Sequence, residues 1–290
     1  MSDYEHNPNK DPNLTGPYRA MKYDADGEPV LRVSIENIES NAGEMSVTSV
    51  TSAGQGSDIM ARIDIANDEV AGHHYINKFG RRNVPAHLTN YYSITTQGEY
   101  DFPANTDTAT VTSSNGGQDN GGTVEVAGLD ANYNPVTETI TVGQSGTQQF
   151  LRVHRAKMVT AGAGNDVNEG NITVEVDGET VAYIPEGYGQ TLQAVYTVPA
   201  GYTAYIFQVD VGVDEKEKPV HARIQTRDAV LANASWQTKA FIVMESNYIS
   251  HNQTIPIRVP EKHDIVLQAN STAGDIEISG GFDLVLRANA

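Results

Sequence analysis

The sequence predicts an all-β protein, an antiparallel, jelly-roll-like β-sandwich in two β domains that follow an extended N-terminal arm. Short runs rich in Val, Ile, Thr, Tyr and Phe recur along the 290 residues, and these residue types suit a half-buried, pleated surface. Turn-forming Gly, Pro, Asn and Asp separate the runs, and no amphipathic helix pattern lies between them. We expect residues 1–29 to form the arm, 30–184 a β-rich domain and 185–290 a β-sandwich domain.

The charge balance argues against two classes of partner. Lys and Arg total 19 against 37 for Asp and Glu, a formal net charge of −18. Because phosphate groups bind through Lys and Arg, we expect neither nucleic acid nor a membrane as a partner. The acid excess suits solubility, or complementarity to a basic partner surface. With no Cys, the chain has no disulfide and no thiolate metal site. We also expect no signal peptide and no membrane span, because the start is polar and every apolar run is short.

The N-terminal arm is polar and rich in proline. It has too few apolar groups to offset the entropy lost on ordering, so we expect a neighbouring subunit to hold residues 1–29. Within it, Asp24, Asp26 and Glu28 have the alternating oxygens of a calcium loop. Ile35 stands where an EF-hand requires Glu, so a polar turn is favoured and calcium is the alternative.

A basic stretch follows the first predicted strands. Apolar runs in residues 30–38, 45–50 and 59–65 predict strands, the last from its alternating pattern. Residues 70–85 then hold the densest positive charge of the chain, in His73, His74, Lys78, Arg81 and Arg82. Adjacent His residues on a strand point to opposite faces, and no metalloprotease spacing accompanies them. We therefore favour a surface loop or docking patch over a metal site.

Residues 91–142 predict a run of antiparallel strands, and residues 171–184 predict a further hairpin. Residues 123–129 and 136–142 form a hairpin around the turn at 130–135, and Asp177-Gly178 predicts the type I′ turn of another. The Gly-rich segment 115–122 predicts a mobile connection. It lacks the Lys-Ser/Thr ending of a phosphate-binding loop, so we expect no nucleotide there.

A second basic strip lies in residues 150–159. Alternation places Arg152 and His154 on one face and Arg155 and Lys157 on the other. The cations indicate either a contact surface or an edge strand protected against aggregation. We group Arg152 and Arg155 with the five basic residues of 70–85 as candidate partner-binding residues.

The most strongly patterned stretch is residues 190–211. Two strand-like runs flank a Pro-Ala-Gly turn at 199–201, which predicts a hairpin exposed to water on one side. Further strands are expected near residues 221–226, 235–245, 253–259, 264–270 and 282–288, with turns at 259–262 and 279–281. Trp236 is expected to anchor a core or an interface.

The sequence contains no complete catalytic motif. The sequence has no G-x-S-x-G elbow, no Walker A loop and no Rossmann fingerprint. We expect no enzymatic activity and no cofactor.

Four segments resemble virion structural proteins of tailed bacteriophages, mainly marine ones. They are Lys-Phe-Gly-Arg at 78–81 and the strand-and-turn motifs at 126–140, 150–156 and 190–201. The resemblance covers roughly residues 70–210 and implies a particle component without enzymatic activity. Residues 81–84 depart from the Arg-Asn-Pro-Asp ending typical of the group.

Two functions follow as hypotheses. The first is a head decoration or cement protein of the virion that binds other virion proteins and forms a homo-oligomer, with a trimer as our expectation. The alternative is a tail or fibre module that binds a receptor or carbohydrate through exposed aromatics. Its candidates are Tyr91, Tyr92, Tyr188, Tyr202 and Tyr248.

Overall fold

The computed structural model describes residues 22–23, 29–30, 62–87, 89–162, 164–214, 219–244 and 247–289. The chain divides into two compact units, Met1–Ala53 and Gly54–Ala290. In the first unit the short strands β1 (Lys22–Tyr23) and β2 (Pro29–Val30) pair antiparallel. The rest of the predicted arm, the alternative calcium loop and nearly all of the strands predicted over residues 30–50 lie outside the described residues.

In the second unit, the described residues form antiparallel strands in four sheets. In chain order they are β3 (His73–Val84), β4 (Tyr92–Ser93), β5 (Asp107–Ser113), β6 (Thr123–Leu129), β7 (Pro135–Thr141), β8 (Ser145–Phe150), β9 (Arg152–Thr160), β10 (Ile172–Val176), β11 (Glu179–Ile184), β12 (Val195–Thr197), β13 (Tyr202–Val213), β14 (Val220–Asp228), β15 (Gln237–Met244), β16 (Tyr248–Val259), β17 (His263–Ser271) and β18 (Ile276–Ala288). The all-β prediction is confirmed.

The jelly-roll lobe, residues 73–94 and 194–288, consists of two facing sheets. One has the strand order β16-β13-β18-β3, and the other has β12-β17-β14-β15 with β4 also paired to β17. Successive strands of this lobe alternate between the two sheets except at β14 and β15 and at β4 and β12, the two strands that flank the inserted lobe. These are the connections of a jelly roll. Between the sheets the side chains of Ile206, Ile224, Leu267 and Leu284 are fully buried.

The inserted lobe, residues 100–184, is a smaller sandwich with its own core. Its sheets have the orders β11-β10-β5-β8 and β7-β6-β9. Phe150, Val124 and Ile172 are fully buried between them. Val195 and Val266, which belong to strands of the jelly-roll lobe, complete this core.

The inserted lobe interrupts a single strand position of the jelly roll. Both β4 and β12 run antiparallel to β17, at successive places along it. Between them, the Ile94 N–H donates to the Leu267 carbonyl at 2.9 Å, and the Leu267 N–H donates to the Ala194 carbonyl at 3.1 Å. The chain leaves this strand after Ile94 and re-enters it at Ala194, so residues 95–193 form one long excursion.

The two cores divide near Ile184, where the sequence predicts a domain boundary. β3 and β4 nevertheless precede the inserted lobe in the chain and belong to the jelly-roll sheets. A change of composition along a chain does not show which strands share a core. The division into residues 1–29, 30–184 and 185–290 stays a prediction.

The hairpin predicted over residues 190–211 is wrong. β12 pairs with β17, whereas β13 pairs with β16 and β18, so the two arms lie in opposite sheets. Gly201 has φ 78°, a conformation that favours glycine, and it lies where the chain passes from one sheet to the other. The first arm is not wet on one side either, because residues 191–199 are all buried.

Two locally encoded hairpins are confirmed. Leu129 pairs with Pro135 where β6 turns into β7, and Val176 pairs with Glu179 where β10 turns into β11. At the second turn Asp177 has φ 55° and Gly178 has φ 77°, as a type I′ turn requires.

Four other local predictions differ from the structure. Residues 62–66 are helical instead of extended, and the segment 70–85 is mostly the long strand β3 instead of a loop. The turn expected at 279–281 lies inside β18. In the Gly-rich segment, Gly116–Asp119 forms a short helix. Its Asp119 is buried and accepts hydrogen bonds from the N–H groups of residues 169 and 170.

The glycines at 280 and 281, which suggested a turn, lie in β18 where the neighbouring backbone comes very close. A Cβ on Gly281 would lie 2.3 Å from the Lys78 carbonyl oxygen.

Candidate functional sites at the lobe junction and on the sheet faces

A buried ionic cluster joins the two lobes. Asp264 on β17 is fully buried and accepts hydrogen bonds from Arg152 Nε at 3.1 Å, Arg227 Nε at 2.9 Å and Thr197 Oγ1 at 2.7 Å. Arg152 belongs to the inserted lobe, and it also donates to the Pro103 carbonyl at 2.9 Å. The carboxylate is fully engaged within the chain, so the cluster fixes the junction and offers no free binding group.

Aromatic rings cover the same cluster. The Arg227 guanidinium carbon lies 4.6 Å from the ring centroids of both Phe102 and Trp236. The two rings are 5.5 Å apart and meet across the junction, because Phe102 leads into the inserted lobe and Trp236 precedes β15. Trp236 therefore anchors an internal interface, in agreement with its predicted role.

The polar side chains of residues 191–197 face the inserted lobe instead of water. Gln193 Nε2 donates to the Val153 carbonyl at 3.1 Å, and Thr191 Oγ1 accepts from the Ala156 N–H at 3.4 Å. Polar and apolar residues do alternate in this segment, but the polar side chains contact the inserted lobe.

The seven candidate partner-binding residues do not form one surface. Arg152 and Lys78 are 4% and 3% exposed, so the structure places neither on a contact face. Both side chains are bound inside the protein. Arg152 pairs with Asp264, and Lys78 donates to the His154 carbonyl. Arg82 is mostly covered and pairs with Glu99 at 2.6 Å.

Three of the seven are more exposed and lie along β3. Arg81 pairs with Glu277 and donates to the Tyr188 hydroxyl at 2.6 Å. His74 Nδ1 is 2.8 Å from an Asp68 oxygen, and His73 bonds to the Ala71 carbonyl. Their role in binding a partner stays a prediction.

The structure does bring Lys78 and Arg155 together, in a cleft of about 280 Å³ between the lobes. β3 supplies Lys78, and β9 supplies His154 and Arg155. A bulge between β6 and β9 falls beside His154, whose Nε2 accepts the Thr197 N–H at 3.2 Å. Burial, and then the charges of Lys78 and Arg152, hold the pKa of His154 well below 6.5, so its ring is neutral.

A second feature is an exposed aromatic and apolar face on the sheet that ends in β15. Phe241 and Val243 of β15 are 54% and 51% exposed. Beside them on β14 are Arg223, which pairs with Phe241, and His221, which pairs with Val243. Tyr91 completes the group, since the Arg223 guanidinium carbon lies 4.0 Å from its ring centroid. We call these five residues the β15 face.

A third feature is a shallow groove of about 230 Å³ on the other sheet. Gly212, Gly280 and Gly281 are among its lining residues, beside Phe79 and the exposed Tyr248. The Tyr248 hydroxyl donates to Asp210 at 2.9 Å. An aromatic ring beside a carboxylate and a glycine-rich wall is a combination that suits a flat polar ligand.

The part of the chain that the structure describes has neither a cluster of metal ligands nor a membrane-spanning helix. No group of three or more His, Asp or Glu side chains there is arranged to hold a metal ion. No helix among the described residues is both long and apolar enough to cross a membrane.

No protein-family model matches the chain, and no curated protein does. Solved structures of infectious bursal disease virus are similar to it at a low level. The Gt strain structure is 12% identical with a TM-score of 0.20, covering 75% of this chain and 73% of that one. The Gx strain structure is 12% identical with a TM-score of 0.21 (77% and 72% covered), and the VP2 subviral particle is 11% identical with a TM-score of 0.14 (75% and 72% covered). Scores this low do not establish a shared fold.

Sequence reasoning missed the importance of Asp264 and Phe241. Asp264 opens an apolar run, which is an unusual place for a carboxylate, and this was the available signal. Phe241 looked like any strand residue, because only the strand order shows that β15 lies at a sheet edge.

Proposed function

We propose that this chain is a non-enzymatic bacteriophage virion structural protein, a head decoration or cement component that forms a homo-oligomer. The β15 face carries the proposal. Soluble monomers seldom leave neighbouring aromatic and aliphatic side chains exposed on a regular sheet, and such patches are typical of protein interfaces.

The chemistry of the β15 face suits a protein partner. Phe, Tyr and Arg are the residue types enriched at interfaces, and Arg223 already lies over Tyr91 and is hydrogen-bonded to Gln268 at 2.8 Å. Little side-chain entropy would therefore be lost on binding. β15 is also the last strand of its sheet, so its outer backbone groups have no strand partner among the described residues.

The fold and the sequence resemblance support the same proposal. Jelly rolls serve in capsid and lectin domains, so the architecture suits a particle component. The resemblance to virion proteins of tailed phages covers residues in both lobes. The excess of acidic residues elsewhere on the chain disfavours nonspecific association.

The first test is self-association and presence in particles. Mass photometry of the full chain is expected to show a closed oligomer, with three copies as our expectation, and mass spectrometry should find the chain in purified virions. Phe241→Glu is expected to weaken self-association about tenfold or more, because it buries a charge at the contact. Lys239→Glu, a change at an exposed residue of the same strand, is the control.

Three results would count against the proposal: absence from purified particles, a monomer at all concentrations, or equal effects of the Phe241 and Lys239 changes. The arm has a separate test. Removing residues 1–29 is expected to lower occupancy on particles while leaving the circular dichroism spectrum of the remaining chain β-rich. Unchanged occupancy would contradict a role for the arm.

The groove beside Tyr248 favours a second candidate, a tail-associated carbohydrate-binding module. Tyr202 is less suitable than predicted, because it is partly buried and its ring packs edge-on against His74 at 5.6 Å. Tyr248 is 60% exposed and is the better candidate. Glycan-array binding that Tyr248→Ala abolishes and Ile255→Ala preserves would favour this function, and an array without signal would leave the structural role ahead.

A further inference from the structure

The cleft between the lobes holds two cations without an acidic partner. Lys78 and Arg155 both line it, and none of the lining residues is Asp or Glu. Lys78 donates to the His154 carbonyl, and Arg155 Nη2 donates to the Asn77 carbonyl at 2.8 Å. Neither cation takes part in a salt bridge within the described residues.

This arrangement runs against the composition of the chain. Asp and Glu outnumber Lys and Arg by 37 to 19, so acidic partners are abundant. At the lobe junction a buried Arg152 is neutralised by Asp264, which is how a buried cation is normally compensated. Lys78 is buried as deeply, at 3% exposure, yet its only hydrogen-bond partner among the described residues is the His154 carbonyl oxygen. An ammonium group has three N–H donors, so its bonding capacity is not filled.

The electrostatics of the cleft favour a bound negative charge. Burial, and then the repulsion of Arg155, hold the pKa of Lys78 well below 10.5, and burial lowers the pKa of Arg155. An anion between them would reverse both effects. His154 uses Nε2 to accept a hydrogen bond from a backbone N–H, so its neutral ring carries the proton on Nδ1.

The rest of the cleft gives the ligand its size and character. Leu129, Val136, Pro199 and Tyr196 line it with apolar or aromatic surface. The volume of about 280 Å³ exceeds that needed by a bare ion. Both lobes of one chain supply the walls, so the site is complete without a second subunit.

We propose that this cleft binds a compact molecule through an oxyanion group, a phosphate or a carboxylate, held between Lys78 and Arg155. Arg155 supplies directed N–H donors, Lys78 supplies a point charge, and the apolar walls contact the carbon framework. The site does not depend on the proposed virion role, because it needs neither the β15 face nor the arm.

Isothermal titration calorimetry of the full chain tests the site, with inorganic phosphate and citrate as probes at ionic strength held constant with KCl. Arg155→Gln and Lys78→Met are each expected to weaken binding roughly tenfold or more. Lys157→Gln is the matched control: it removes one positive charge from the same strand, where Lys157 is exposed and pairs with Glu125. It should leave binding unchanged.

Proton uptake on binding is a second measurement, and a purely structural role of Lys78 would not affect it. At a pH near the lowered pKa of Lys78, a bound anion should raise that pKa and binding should take up protons, which titrations in two buffers of different ionisation enthalpy would reveal, and Lys78→Met should abolish the uptake. No saturable binding of either probe, or equal weakening by Lys157→Gln, would overturn the proposal. So would binding of an acidic peptide when neither small anion binds. If Lys78→Met does not fold, Arg155→Gln alone decides.

Discussion

Asp264 is a single carboxylate between two guanidinium groups at a place that water does not reach. Arg152 and Arg227 approach it from different elements, and Thr197 supplies a third donor. The attraction offsets the cost of removing these charges from water only while all the partners are present. The loss of the carboxylate is therefore more damaging than the net contribution of the cluster to stability would suggest.

We predict that Asp264→Ala lowers the free energy of unfolding by about 3–5 kcal/mol, because it leaves the buried Arg152 without a counter-charge. Urea denaturation would measure the change. Glu125→Gln breaks the more exposed pair with Lys157 and should cost less than about 1 kcal/mol. Similar losses in the two variants would contradict the special role of Asp264.

Glu138 on β7 predicts a pH dependence. Its carboxylate accepts from the Thr147 N–H at 2.8 Å and the Gln148 N–H at 3.0 Å, both on β8 in the opposite sheet. Partial burial by itself raises the pKa of Glu138, but these hydrogen bonds outweigh that effect and hold the pKa below 4.5. A folded pKa below the unfolded value means stability that is present above the unfolded pKa and is lost as pH falls through the folded one.

The free energy of unfolding should therefore fall as the pH drops from about 4.5 through the lowered pKa of Glu138, and Glu138→Gln should flatten part of this fall. Urea denaturation at a series of pH values would measure it. Glu179→Gln removes an exposed carboxylate from the same lobe and should leave the pH profile close to that of the wild type. Identical profiles for the wild type and Glu138→Gln would contradict the prediction.

At the scale of elements, β3 depends on a glycine where its backbone meets the interrupted strand. A Cβ on Gly80 would lie 1.9 Å from the Ile94 carbonyl oxygen and 2.8 Å from the Ala194 nitrogen. Ile94 is the last residue before the chain leaves the strand for the inserted lobe, and Ala194 is the first residue after the chain returns. They have no room to move without breaking their hydrogen bonds to each other and to Leu267.

We predict that Gly80→Ala destabilises the chain by more than about 3 kcal/mol, as severe overpacking does. Gly116→Ala is the control, because nothing lies within 4 Å of the added Cβ and the residue is helical. That change should be neutral or slightly stabilising. Thermal unfolding followed by circular dichroism would compare them, and a Gly80→Ala protein as stable as the Gly116→Ala protein would contradict the close contact.

At the scale of the whole molecule, the two lobes share structure that neither could supply alone. The ionic cluster takes Arg152 from one lobe and Asp264 from the other. The buried Val195 and Val266 of the jelly-roll strands complete the core of the inserted lobe. An isolated lobe would expose these apolar groups and leave a charge unpaired.

We therefore predict one cooperative unfolding transition for residues 54–290. Circular dichroism reports the strands of both lobes, and fluorescence of Trp236, the single Trp, reports the junction. The two signals should change at the same denaturant concentration. Arg152→Ala should separate them or shift both together to lower denaturant. Two well-separated transitions in the wild type would contradict the coupling.

The sequence by itself determined the features that depend on near neighbours. Strand residues alternate, and Asp177 and Gly178 accept positive φ, so the all-β class and the β10–β11 hairpin follow from local chemistry. The same local reasoning failed at residues 190–211, where a turn between two strands looks alike whether they pair or lie in opposite sheets.

Only the tertiary structure decided which strands share a sheet and which charges meet. Arg152 and Asp264 are 112 residues apart in the chain, and Lys78 and His154 are 76 residues apart. Local patterning cannot specify such partners, because burial and pairing depend on the packing of the whole chain. Local alternation therefore predicted strands, whereas the interrupted strand, the buried cluster and the cationic cleft arise from contacts between distant segments.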